Sequence, residues 1–197
     1  MNLIDIRRNL AHHITDPLVG ILSKIGITPN VLTLINLALN IVAAYFIATE
    51  HFITGGVLVL VAGLFDLLDG ALARFTKQTT KFGAILDSTV DRISEAAILC
   101  GLLIWYIPQE GASLKSVLIF VVLIGPFLVS YIRARAEGLG WQCQVGLFTR
   151  AERVIVLAIG LLINQIFIAL CILAVFVFIT VVQRLVYLWK QGKIKGD

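Results

Sequence analysis

Asp66, Asp69, Asp87 and Asp91 are the residues of this chain whose type and spacing could do chemistry. The separations within the two pairs are i,i+3 and i,i+4, so each pair shares one face of a helix. All four lie in apolar surroundings, and Asp66 precedes Arg74 by eight residues, about 12 Å at the helical rise. A single ionised side chain at membrane depth costs about 3 kcal/mol on the lenient insertion scale, so four need compensation. Salt bridges are one answer, but Arg74 and Arg92 are the only cations close in sequence, two against four. An ion or proton path is a second. A divalent metal is a third, since two carboxylates from each of two helices give hard oxygen ligands suited to Mg²⁺ or Mn²⁺. Gly70 beside Asp69 and Gly83 one turn before Asp87 allow close approach of a ligand. Arg74 adds a guanidinium suited to a diphosphate. Metal ligands, glycines and an arginine together point to a phosphoanhydride substrate, which a proton path does not require.

The elements that position these residues follow from composition. The chain has 197 residues, 59% apolar and 14% charged, with a mean hydropathy of +0.96 and a net charge of +4. Soluble domains run near 45–50% apolar and about 25% charged, so the chain belongs in lipid. That balance excludes a disordered protein, a disulfide scaffold and an ordinary cytosolic enzyme, and no nucleic-acid partner is expected. Six apolar runs approach the roughly 20 residues that a bilayer demands. They cover 31–49, 53–74, 83–107, 116–137, 147–163 and 165–190. With six spans and both termini on one side, all of the 16 lysines and arginines except Lys115 fall on that side. The positive-inside rule makes it the cytoplasm. The fold class expected is therefore an all-α membrane protein, multi-pass in the cell membrane, with a polar cavity open to the cytoplasm. Residues 1–28 form a juxtamembrane segment and 29–197 the six-helix domain.

Within that plan, Leu3, Ile6, Leu10 and Ile14 recur at helical spacing with Arg7, Arg8 and His12 between them. The pattern fits an amphipathic helix on the inner leaflet, or one packed on the ends of the bundle. No cleavable signal peptide is read, because the first apolar run begins at Val31 without a small-residue cleavage site. Thr28-Pro29 reads as an N-cap followed by Pro at the first helical position. Thr33, Asn36 and Asn40 form a polar stripe expected to make interhelical hydrogen bonds. Cys100 and Cys171 read as small core residues.

The order Asp66-Leu67-Leu68-Asp69-Gly70-Ala71-Leu72-Ala73-Arg74, then Gly83-Ala84-Ile85-Leu86-Asp87-Ser88-Thr89-Val90-Asp91, matches DxxDGxxAR(x8)GxxxDxxxD. It resembles the signature of the CDP-alcohol phosphotransferases. The resemblance implies that Asp66, Asp69, Asp87 and Asp91 hold Mg²⁺ or Mn²⁺, as a dinuclear site, with Asp91 also the base. It implies that Gly70, Arg74, Thr80 and the Pro29-Asn30-Val31-Leu32 stretch bind the CDP part of a CDP-lipid, and that the enzyme is a homodimer. The implied reaction is in-line phosphoryl transfer from the CDP-lipid to an alcohol, with CMP leaving.

The alcohol must be read from the second half. Ser130-Tyr131-Ile132-Arg133-Ala134-Arg135-Ala136-Glu137 ends the fourth span, Arg150-Ala151-Glu152-Arg153 opens the fifth, and Gln183-Arg184 comes late in the sixth. Any one arginine could snorkel to anionic headgroups. Three helices presenting arginine at similar depth suggest a second anion pocket, for an acceptor that carries a phosphate. These blocks resemble those of phosphatidylinositol-phosphate and archaetidylinositol-phosphate synthases. The implied partners are CDP-diacylglycerol or CDP-archaeol and 1D-myo-inositol 3-phosphate, the latter cradled by Arg133, Arg135, Arg153 and Arg184. This chain has Arg133 where a SYIKAR pattern has Lys, and Thr149-Arg150-Ala151-Glu152-Arg153 where another reads ERPER. Glu95, one turn after Asp91, is expected either to orient Arg92 or to face a polar cavity, with the structural role favoured. Phosphatidylglycerophosphate synthesis is the alternative within the family, and an ion-coupled transporter the alternative of a different class.

Overall fold

The computed structural model describes residues 17–143 and 145–195, and every regular element among them is an α-helix. α1 is described over 17–25. It is followed by α2 (Pro29–Ala48), α3 (Phe52–Phe75), α4 (Lys81–Tyr106), α5 (Ala112–Gly138), α6 (Arg150–Leu162) and α7 (Ile166–Lys195). The amphipathic segment expected from Leu3, Ile6, Leu10 and Ile14 lies outside the described residues. Thr28 is the N-cap of α2 with Pro29 directly after it, as the sequence reads.

α2, α3, α5 and α7 are long and apolar enough to cross a membrane. Their outward faces expose Ile41, Tyr45, Phe120 and Phe178, a distribution that needs lipid rather than water. The chain is thus an all-helical membrane protein. The other two expected spans depart from the simple pattern for different reasons. α4 has 26 residues, yet its first 15 carry Lys81, Asp87, Asp91, Arg92 and Glu95. α6 has only 13 residues, about 20 Å, against a hydrocarbon core of about 30 Å. The apolar run from 147 becomes helical only at Arg150, because Thr149 and Glu152 close a capping box there. The Thr149 N–H donates to Glu152 Oε2 at 2.8 Å.

α2 packs against both α3 and α4, α5 against α7, and α6 bridges α3 and α7. One apolar cluster joins Ala43, Ile47, Val59, Ile98, Leu102 and residues of α5, α6 and α7. A second, smaller cluster unites Val19, Leu32, Leu68 and Leu72. Along α3, Asp66 falls between Val59 of the first cluster and Leu68 of the second, and Asp69 between Leu68 and Leu72. Of the cysteines, Cys143 is buried, Cys171 part-buried and Cys100 exposed; Cys100 is therefore an outward-facing residue, contrary to its expected core position.

The α2–α4 crossing depends on Gly101. A Cβ there would lie 2.5 Å from the Ala44 carbonyl oxygen, which is backbone and has no rotamer escape. In lipid, helices gain little from hydrophobic contact and much from such close approach. Gly101→Ala is expected to destabilise the bundle by about 1–3 kcal/mol. A lowered thermal midpoint in detergent is the readout, and an unchanged midpoint would show that α2 and α4 part without penalty.

Candidate active and metal site

The polar stripe of α2 faces the carboxylates of α3. Thr33 Oγ1 donates to Asp69 Oδ2 at 2.7 Å, and Asn36 Nδ2 to Asp66 Oδ1 at 3.4 Å. Asn40 Nδ2 in turn donates to Asn36 Oδ1 at 2.6 Å and to the Asn36 carbonyl at 2.9 Å. Thr33, Asn36, Asn40 and Asp69 are all buried. Thr33 and Asn36 therefore make the interhelical bonds expected of the stripe, with aspartates as the acceptors, whereas Asn40 bonds within α2 and braces Asn36. Each interhelical bond points a carboxylate inward and fixes which oxygen remains available.

Asp66, Asp69 and Asp87 each offer an oxygen within 4.8 Å of the other two. Ligands of a six-coordinate ion with bonds of about 2.1 Å stand about 3.0 Å apart when adjacent and about 4.2 Å when opposite. The three oxygens thus need only a small contraction to share one divalent ion, and they are hard donors of the type that Mg²⁺ and Mn²⁺ take. The residues fit a divalent metal.

Asp91 stands outside that group. Its Oδ1 lies 2.7 Å from Arg150 Nη1, and the same nitrogen contacts Asp66 Oδ1. Asp91 Oδ1 is buried and receives no hydrogen bond of good geometry, so the ion pair is its compensation. Arg150 is the cation that sequence proximity to the aspartates did not reveal, as it lies far from them along the chain. An available signal was its place at the first position of a capped helix, where the positive end of the dipole disfavours a cation unless acids face it. Salt bridging therefore contributes beside metal binding, and the two sequence explanations are not exclusive.

Beside the carboxylates opens a cavity of about 180 Å³, lined by Pro29, Asn30, Asp69, Gly70, Arg74 and Thr80 among others. Thr80 is the N-cap of α4, its hydroxyl accepting from the Gly83 N–H at 2.9 Å. A Cβ on Gly70 would meet only Arg74 Nη1, at 3.5 Å, so that glycine keeps the wall low. Five of the residues expected to bind CDP thus face one cavity. Val31 and Leu32 do not. Val31 points outward and Leu32 is in the smaller apolar cluster, because adjacent helical residues face different directions.

The arginines of the second half are each partly engaged. Arg153 is buried and grips Glu95 through Nε at 2.7 Å and Nη2 at 3.1 Å. Arg92, which Glu95 was expected to orient, donates instead to Ser130 Oγ through Nε at 2.8 Å. Arg184 donates to the carbonyls of Val145 and Val129, tying the α5–α6 connection to α7. Arg133 pairs with Glu137 at 2.8 Å and is exposed, as is Arg135. Arg92 and Arg184 bond to adjacent residues of α5, Ser130 and Val129, one turn before Arg133, and Arg153 holds Glu95 one turn after Arg92, so these cations gather in one region.

A metal-fitting acidic group on facing helices, beside a cavity with an arginine, defines a phosphate-handling membrane enzyme. Residues 26–187 match the CDP-alcohol phosphatidyltransferase family, and the chain belongs to it. It is a transferase of phospholipid biosynthesis. An archaetidylinositol phosphate synthase of Pyrococcus horikoshii is 39% identical over 164 residues, 83% of this chain and 84% of the relative. A phosphatidylinositol phosphate synthase of Mycobacteroides abscessus is 36% identical over 180 residues, 87% of this chain and 82% of that one. The Mycobacterium tuberculosis phosphatidylinositol phosphate synthase with CDP-DAG bound superposes with a TM-score of 0.80 at 34% identity. That match covers 90% of this chain and 94% of the other. The same synthase in complex with manganese and citrate gives 0.80 at 34% identity, covering 89% and 88%.

Proposed function

We propose that the chain transfers the phosphatidyl group of CDP-diacylglycerol to 1D-myo-inositol 3-phosphate, giving phosphatidylinositol phosphate and CMP; CDP-archaeol would yield the archaetidyl product. The carrying observation is the pairing of two polar features: the carboxylate group with its adjoining cavity, and the gathering of Arg92, Arg133, Arg153 and Arg184 around Val129, Ser130 and Glu95. Guanidiniums that repel one another call for an anion, and a phosphorylated acceptor brings one.

Asp66, Asp69, Asp87 and Asp91 are the residues proposed to hold Mg²⁺ or Mn²⁺ as a dinuclear centre. Bound divalent cations would stabilise negative charge on the phosphates as CMP leaves. The chain's own residues do the positioning. Gly70 leaves room for the diphosphate, Arg74 supplies a guanidinium to it, and Pro29, Asn30 and Thr80 border the nucleotide. Arg153, with Arg133, Arg135 and Arg184, holds the acceptor phosphate. Asp91 takes the proton of the attacking hydroxyl. That oxygen forms a bond to the lipid-side phosphorus, and the phosphoanhydride bond to CMP breaks.

The six helices over 29–197 form this domain, with 1–28 as a juxtamembrane segment. α4 and the short α6 complete the set of six spans, and the lopsided arginines and lysines place both termini and the site in the cytoplasm. The protein works in the cell membrane as a homodimer. Because α6 begins at the depth of the aspartates, the site sits below the membrane surface in a polar depression.

The test is CMP release in proteoliposomes containing CDP-diacylglycerol and Mg²⁺ or Mn²⁺. Release with inositol 3-phosphate, but not with inositol or glycerol 3-phosphate, is the expected result. Equal rates with glycerol 3-phosphate would instead make the chain a phosphatidylglycerophosphate synthase. No CMP with any acceptor would reject the transferase reading and leave an ion-coupled transporter.

A further inference from the structure

Arg150 differs from the other arginines around the site. Arg92 is engaged by Ser130, Arg153 by Glu95, and Arg184 by backbone carbonyls. Arg150 alone among these binds two of the four aspartates, and it does so from the first residue of α6. A cation there works against the helix dipole, so its position is held by the acids it faces. Of those acids, Asp66 is shared: it accepts from Arg150, and it is one of the three carboxylates whose oxygens converge. The oxygen in the arginine contact, Oδ1, is also the one that Asn36 addresses.

We infer that Arg150 is the built-in counter-ion of the metal-free site, and that a divalent cation entering among Asp66, Asp69 and Asp87 displaces it from Asp66. The inference rests on the reading of those carboxylates as a metal site. A guanidinium and a divalent ion on one carboxylate repel each other across a short distance, with little water between them to screen the charge. With one ion among Asp66, Asp69 and Asp87, before a second ion engages Asp91, Arg150 keeps Asp91 as a partner and has room to turn. It lines a cavity of about 210 Å³ between α3 and α6, with Leu60, Gly63 and Ile155. It also borders a smaller one of about 30 Å³ shared with Glu95 and Arg153. The arginine thus keeps the carboxylates from repelling one another before metal arrives, and metal affinity is set by a competition inside the protein. Arg150 is a positioning residue in this scheme.

Mn²⁺ binding measured by the electron-paramagnetic-resonance signal of free ion, on purified protein in detergent, reads this directly. Arg150→Gln is expected to bind Mn²⁺ about five- to tenfold more tightly than wild type, a coupling of ordinary size for two ligands sharing a site. Its metal-free form should melt lower, with a larger upward shift on adding Mn²⁺. Arg150→Lys keeps a point charge and should stay nearer the wild-type constant. Equal or weaker Mn²⁺ binding by Arg150→Gln overturns the inference while leaving the metal site standing. Absence of Mn²⁺ binding by wild type overturns the metal reading itself. Should Arg150→Gln fail to fold, modification of wild-type Arg150 by phenylglyoxal, read by peptide mass spectrometry, decides the question. Faster modification with Mn²⁺ supports displacement, and an unchanged rate refutes it.

Discussion

Asp91→Asn is expected to lower kcat by about 10³-fold or more while the protein still assembles in the membrane. A positioned general base contributes about 10²–10⁴-fold, and this substitution also removes a proposed metal ligand. Assembly survives because Asp91 is not a packing residue of either apolar cluster and its ion-pair partner, Arg150, retains Asp66. The amide is close in size to the carboxylate, so the space around it is unchanged. The CDP-lipid KM should move little, since the cavity wall is built from Asp69, Gly70, Arg74 and Thr80 without Asp91. Steady-state kinetics in mixed micelles would check this, with size exclusion confirming the fold. A kcat within tenfold of wild type would remove Asp91 from the chemistry. A large rise in CDP-lipid KM with kcat preserved would make it a binding residue instead.

Arg153→Ala has two expected consequences, and the second comes from the structure. The first is loss of affinity for the phosphorylated acceptor by roughly tenfold or more, the worth of a charge-assisted hydrogen bond. The second is instability. Arg153 is 5% exposed and holds both oxygens of Glu95, so truncation leaves a carboxylate of low exposure without its cation. Removing one partner of a buried pair costs about 3–5 kcal/mol. Adding Glu95→Gln neutralises the stranded acid and should recover most of the thermal midpoint. It should not recover the acceptor KM. If the double variant restores both, Arg153 acts only by holding Glu95, and the acceptor phosphate is bound elsewhere. If Arg153→Ala raises only the CDP-lipid KM, the two pockets have been assigned the wrong way round.

Much of the site was legible because the signals are local. The i,i+3 and i,i+4 spacings put each aspartate pair on one helix face, and the apolar background made every charge conspicuous. Thr33, Asn36 and Asn40 were legible as a stripe for the same reason. What was not legible is which residues meet across helices. Arg150 and the aspartates are separated by α5 and its connections, and no periodicity links them. Glu95 and Arg92 are near neighbours in sequence, so their pairing was the natural expectation. The fold instead gives Glu95 to Arg153 on α6 and Arg92 to Ser130 on α5. Val31 and Leu32 follow the same lesson on a smaller scale. A contiguous motif marks a place in the chain, but a helix turns successive side chains by about 100°, and only some of them reach the cavity.

The sequence by itself determined the solvent, the helical class and the acidic chemistry. Composition decides whether a chain can be hydrated, and short-range spacing decides which residues share a helix face; neither needs a partner element. The tertiary structure decided how the charges are satisfied. It separated Asp91 from the other three aspartates, brought Arg150 between the two sets, and shortened α6 so that its first residue starts at their depth. Ion pairs across helices depend on crossing geometry and on close approaches such as Gly101 on Ala44. Those distances follow from how all the helices pack at once, which no single segment encodes.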